Sequence, residues 1–334
     1  MFLVCFTAVT TLAVAFVNGF TDAPNAIASC VSTGCMKIKN AVLVAATADF
    51  AGAIIIGALS NRVSETVINI VDFGDNKKTA LIALCSAMCS VVIWAVSAWR
   101  FGIPTSESHA LIASLSGASV AVNGGFYGIN PMEWNKVING LLVSVFIGFV
   151  AGFIISKITV FVFKKIDSLK KDKIFRCFQI SSSILMAFMH GAQDSQKFAG
   201  ILSLIISVSG KKNGLSDISL LPVAVSSIAI AAGTSMGGER IIKTVGTEMV
   251  KLRIDQGFSS DLAGAICLFI STFFGFPVST THTKTSAVIG VGVADNIKSV
   301  NLKIAGEMIA AWLFTFPGCG LLGWGITCLL IKIL

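Results

Sequence analysis

Residues Thr79–Trp99 carry no charged side chain, and Ala41–Leu59 carry one, Asp49. A helix needs roughly 20 apolar residues to cross the hydrocarbon of a bilayer. In lipid the backbone must satisfy its own hydrogen bonds, so a spanning segment is a helix or a strand of a closed barrel. Barrel strands alternate in polarity over about ten residues, and these runs do not alternate. The remainder of the chain agrees. It is 54% hydrophobic and only 13% charged, whereas a soluble domain carries about 25% charge. The expected fold class is an all-α polytopic membrane protein, multi-pass in the plasma (inner) membrane. Met1–Val17 lacks the basic start and cleavage site of a secretory signal.

A net charge of +8 would suggest nucleic acid in a soluble protein, but here the basic residues cluster in short segments between apolar runs. That is the pattern of cytoplasmic loops, and no nucleic-acid partner is expected. The strongest cluster is Lys164–Arg176, with six Lys or Arg against Asp167 and Asp172. It reads as a cytoplasmic loop. The nine cysteines form no metal or disulfide pattern and read as small apolar residues.

Two apolar runs are interrupted by costly polar residues, at Asn18–Asn25 and at His190–Lys197. Both are expected to break their helices. The interruptions belong to an internal repeat: Asp194 follows Asp22 by 172 positions. Gly275-x-Pro277-x-Ser279-x-x-His282 follows Gly102-x-Pro104-x-Ser106-x-x-His109 by 173, and Arg240–Val245 resembles Arg62–Val67 at 178. The pair Asp49-Phe-Ala-Gly-Ala and Asp261-Leu-Ala-Gly-Ala stands 212 apart and is set aside. The expected organisation is a first transmembrane repeat over 1–163, a basic cytoplasmic linker over 164–177 and a second repeat over 178–334. With about five crossings per half, some broken or re-entrant, the odd number makes the repeats inverted in topology. This is a common transporter plan, and it places both termini outside. Asn61–Lys78 and Asn123–Asn135 read as loops, and Glu239–Asp255 as an interfacial helix.

A carboxylate at the bilayer centre costs about 2.5–3.5 kcal/mol on insertion scales and persists where it faces a cavity, a partner or an ion. Asp22, with the Asn25 amide and the carbonyls freed around Gly19 and Pro24, offers oxygen ligands suited to a hard cation such as Na⁺; a carboxylate alone can carry H⁺. The Gly-x-Pro-x-Ser segments read as half-helix N-termini, whose free N–H groups and hydroxyls attract anions. Two of them could share one tetrahedral oxyanion. His109 and His282 read as hydrogen-bonded structural residues. Lys197 and Lys284 could touch an anion, balance Asp194 or snorkel, and Asp49 is a further proton or cation candidate. Glu107 stands where the second copy has Thr280, so the half-sites are unequal.

The residues Asn18–Ala28 (NGFTDAPNAIA), His190–Gly200 (HGAQDSQKFAG), GIPTSESH, GFPVSTTH and the Gly233–Gly246 stretch together resemble the inorganic phosphate transporter (PiT) family over essentially the whole chain. Thr21 and Gln193 depart from that family's usual Asn before the signature aspartate, and Glu107 from its usual Thr. The resemblance implies a secondary active symporter, not an enzyme, importing inorganic phosphate with Na⁺ or H⁺ by alternating access. It also implies a homodimer and no cofactor beyond the transported co-ion. Carried over residue by residue, Asp22, Asn25, Asp194 and Gln196 lie on the cation side, with Na⁺ at Asp22, Asn25 and Asp194. Thr105, Ser106, Ser108, Ser279, Thr280 and Thr281 lie on the phosphate side. A sulfate or metal–phosphate symporter is the alternative within the fold. An intramembrane hydrolase or a passive anion channel is the alternative outside it.

Overall fold

The computed structural model describes residues 1–101, 105–166, 168–210, 220–237, 242 and 249–333. Among them the regular structure is helical, with isolated bridges at Val71–Ile129 and Val250–Val300. Six helical stretches are long and apolar enough to span a membrane: Phe2–Ser32, Ile38–Leu59, Lys77–Phe101, Pro131–Val162, Ile254–Phe274 and Leu302–Ile333. The last and the fourth turn Leu313, Phe314, Leu321, Leu142, Phe146 and Phe161 outward. Side chains of that kind are stable facing lipid tails and not water.

The first spanning stretch is two helices, α1 (Phe2–Thr21) and α2 (Pro24–Ser32). Pro24 has no N–H to continue the ladder, and its ring would strike the carbonyl four residues back, so α1 ends and α2 starts on the proline. The second polar interruption does not break its helix. α8 (Ser168–Val208) runs unbroken through His190–Lys197. The position equivalent to Pro24 is Gln196, whose side-chain amide donates to the Ala192 carbonyl at 3.2 Å within an intact turn. Polarity was read as a break there, but proline makes the break.

The remaining elements are α3 (Ile38–Leu59), α4 (Arg62–Asn69), α5 (Lys77–Phe101), α6 (Glu107–Asn123), α7 (Pro131–Val162), α9 (Leu220–Met236), α10 (Ile254–Phe274), α11 (Thr280–Asp295) and α12 (Leu302–Ile333). Three stretches expected as loops are partly helical. α4 forms inside Asn61–Lys78 because Val63, Val67 and Ile68 make a buried face opposite Arg62 and Glu65. α7 begins at Pro131 under the Asn130 cap. From Ser168 the basic stretch is already the start of α8. Of Glu239–Asp255, most lies outside the described residues, and Arg253 caps α10. Arg240–Val245 lies there too, save helical Ile242. Gly102–Pro104 also fall outside.

The elements of the two halves follow in matching order. The short turns Phe126–Gly128 and Ile297–Ser299 stand 171 positions apart. Partners cross between halves: α1 packs on α9 and α8 on α3, and α6 packs on α12 while α11 packs on α7. Glycine permits each of these crossings, as two of them show. A Cβ on Gly191 would lie 2.0 Å from the Asp49 carbonyl oxygen, and one on Gly52 would lie 1.8 Å from that of Phe188. A Cβ on Gly19 or on Gly233 would lie 2.0 Å from a backbone oxygen of the opposite helix in the α1–α9 crossing. Small residues let membrane helices approach this closely, where dispersion and polar contacts replace the hydrophobic effect. The α3–α8 approach sets Asp49 beside His190.

Candidate functional site

The first signature lies at the α1–α2 break, and the first turn of α11 closes over it. Asp22, 1% exposed, accepts hydrogen bonds from the Thr280 hydroxyl at 2.8 Å, from the Thr281 hydroxyl and from the Asn25 amide at 2.9 Å. The same amide nitrogen lies 3.2 Å from Thr281 Oγ1. Among the described residues these donors are all neutral. The Asn25 Oδ1 is buried with no hydrogen-bond partner. An unpaired buried oxygen costs about 1–3 kcal/mol.

In the second signature, Asp194 accepts from the Lys197 ammonium at 2.6 Å and from Asn18 Nδ2 at 3.0 Å. His190 Nε2 is 3.5 Å away. His190 Nδ1 lies 3.1 Å from Asp49 Oδ1, and Thr234 donates to Asp49 Oδ2 at 2.9 Å. A ring nitrogen of His190 and one oxygen each of Asp22 and Asp194 lie within 4.8 Å of one another. Two signature acids 172 positions apart therefore converge, with a mixed oxygen and nitrogen set able to hold a cation. The sequence reading did not single out His190 or Asn18, although they too stand 172 apart and flank the two motifs.

The first turns of α6 and α11 meet at this point. The rings of His109 and His282 stand 4.5 Å apart, edge to face, and stack on Phe316 and Trp312 of α12. Their ring nitrogens have no hydrogen-bond partner among the described residues. The expectation of hydrogen-bonded histidines is thus corrected: aromatic packing holds them. Ser106 and Ser279 are the N-caps, each accepting from the backbone N–H of His109 or His282 at 3.2 Å.

The neighbouring polar residues have the following partners. Ser108 accepts from the Lys197 ammonium. Thr105 lines a groove with Trp94, Ala98 and Phe314. Gln196 turns to α4, accepting from the Val63 N–H at 3.2 Å, and is not brought to the aspartates. The structural counterpart of Asn25 is Lys197. Gln193 donates to the Phe276 carbonyl at 2.7 Å and accepts from Thr272 at 2.5 Å. Glu107 cannot donate as Thr280 does when ionised, and instead accepts from Thr21 at 2.6 Å. Lys284 pairs with Asp261, and Ser29, Gln179 and Ser183 donate to the same carboxylate at 2.6, 2.5 and 2.5 Å. This buried network was missed because its members come from four helices.

A model of the phosphate transporter family matches residues 18–323. The chain is 36% identical over 312 residues to a protein of Bacillus subtilis (strain 168) described as a probable low-affinity inorganic phosphate transporter, covering 93% of this chain and 92% of that one. It is 36% identical to a protein of the same description from Rhizobium meliloti (strain 1021), covering 92% and 90%. A solved structure titled the sodium-dependent phosphate transporter superposes with a TM-score of 0.89 at 21% identity over the whole of both chains, a likeness of fold. The chain therefore belongs to the phosphate transporter family.

Proposed function

We propose that this protein is a secondary active symporter that imports inorganic phosphate with Na⁺ or H⁺ by alternating access. Family membership makes it a phosphate-transport protein, multi-pass in the plasma membrane, and not an enzyme. The observation that carries the finer reading is the meeting of Asp22 and Asp194 with the first turns of α6 and α11 in one buried place.

The hydrogen bonds suggest how cation and anion are coupled. Thr280 and Thr281 donate their hydroxyls to Asp22, so an anion arriving alone meets a carboxylate and no free hydroxyl from either. A cation at Asp22 and Asn25, or a proton on the Asp22 carboxylate, cancels the repulsion and releases both hydroxyls. Phosphate then takes those hydroxyls together with the N–H groups at the starts of α6 and α11. The cation enters first, and the filled site is neutral enough for the inverted repeats to rock across it.

Proteoliposome uptake of labelled phosphate, with Na⁺ exchanged for choline at fixed pH, names the coupling ion. Loss of uptake identifies Na⁺; retained uptake that collapses with the pH gradient identifies H⁺. Asp22→Asn should abolish coupled uptake while the protein remains folded, and normal coupled uptake by that variant would refute the proposal.

A further inference from the structure

The two half-sites share one plan and differ by one charge. Lys197 follows Asn25 by 172 positions, as Asp194 follows Asp22, and Thr281 follows Ser108 by 173. In the first half-site the Asn25 amide spans Asp22 Oδ1 at 2.9 Å and Thr281 Oγ1 at 3.2 Å. In the second, the Lys197 ammonium spans Asp194 Oδ1 at 2.6 Å and the Ser108 hydroxyl, and adds the Val278 carbonyl at 2.7 Å. A carboxylate, a hydroxyl and a carbonyl oxygen are the ligands that a hard monovalent cation would take there. An ammonium has three N–H donors, and all three are committed to these oxygens. The side chain is 1% exposed, so it neither snorkels nor keeps a donor for the substrate. The other ionisable groups nearby are His190, His109, Asp22 and Glu107. His190 approaches Asp194 at 3.5 Å, Glu107 is held by Thr21, and none of them hydrogen-bonds Lys197.

The first half-site is the converse. Asp22 has neutral donors, and the Oδ1 atoms of Asn25 and of Asn18 are buried without partners. The Asn25 oxygen, on the residue whose amide nitrogen already bonds Asp22, is free to take a cation from solution.

We propose that Lys197 is a tethered counter-ion that permanently fills the second half-site, so that one solute cation binds, at Asp22 and Asn25, where an amide in both copies would admit two. The proposal rests on the symport reading of this site. It assigns the lysine to setting the cation number and not to holding phosphate.

Lys197→Asn makes the second copy read Asp-x-x-Asn like the first. The test is equilibrium Na⁺ binding to purified protein without phosphate, by calorimetry and by thermal stabilisation at ionic strength held constant with choline chloride. Lys197→Asn should bind one Na⁺ more than the parent, with a steeper dependence on Na⁺ concentration. An equal number in the two proteins overturns the proposal. The double variant Asp194→Asn/Lys197→Asn removes carboxylate and ammonium together and stays measurable if the single variant misfolds. It should bind the parent's number, and either a gained or a lost Na⁺ in the double overturns the proposal. Because phosphate is absent, a failure of phosphate transport in liposomes leaves the count unaffected and is read separately.

Discussion

Lys284→Met removes one side of a buried charge pair whose cost can be bounded from the structure. Lys284 and Asp261 are both fully buried, and the ammonium also donates to Ser29 at 3.0 Å and Ser260 at 3.1 Å. Leaving one member of such a pair unpartnered costs about 3–5 kcal/mol. Three neutral donors remain on Asp261, from Ser29, Gln179 and Ser183, so the loss falls near the lower bound, about 3 kcal/mol. That is roughly a hundredfold in the folding equilibrium. Asp261→Asn/Lys284→Met removes both charges and should lie within about 1 kcal/mol of the parent, because the desolvation of both ions is recovered. Unfolding can be followed by labelling of the buried thiols Cys30 and Cys267. A double variant as unstable as the single one, or a single variant as stable as the parent, refutes the charge-pair argument.

Gly191→Ala puts a Cβ 2.0 Å from the Asp49 carbonyl. It should cost about 1–3 kcal/mol in overpacking and reduce phosphate uptake by parting His190 from Asp49, measured as stability and uptake on the same preparation. Arg253→Ala is the contrasting case. Its guanidinium, about half exposed, pairs with Asp255 and Asp295 at the membrane edge. Removing it should change stability by less than about 1 kcal/mol, an effect that shrinks further in high salt; a loss comparable to that of Lys284→Met would contradict the role assigned to burial.

Much of this protein follows from local sequence properties. Thr79–Trp99 and Ala41–Leu59 must be helical because lipid offers no partner for their backbone groups, and they lie within α5 and α3. The α1–α2 break follows from Pro24, and the starts of α6 and α11 follow from Ser106 and Ser279 as caps. The offset that aligns Asp22 with Asp194 also aligns Asn25 with Lys197, so that correspondence was available without coordinates. What the lysine does was not. Whether Lys197 faces lipid, substrate or Asp194 depends on Ser108 and Val278, 89 and 81 positions away. The α8 continuity depends on a missing proline, which the polar pattern of His190–Lys197 obscured. Asp261 stands at the start of an apolar run in sequence, and its partners converge from α2, α8 and α11 only when the helices pack. Hydropathy and capping act within a few residues along the chain and are legible there. The pairing of buried charges acts through space, over a few ångströms between distant segments, and tertiary packing alone decided it.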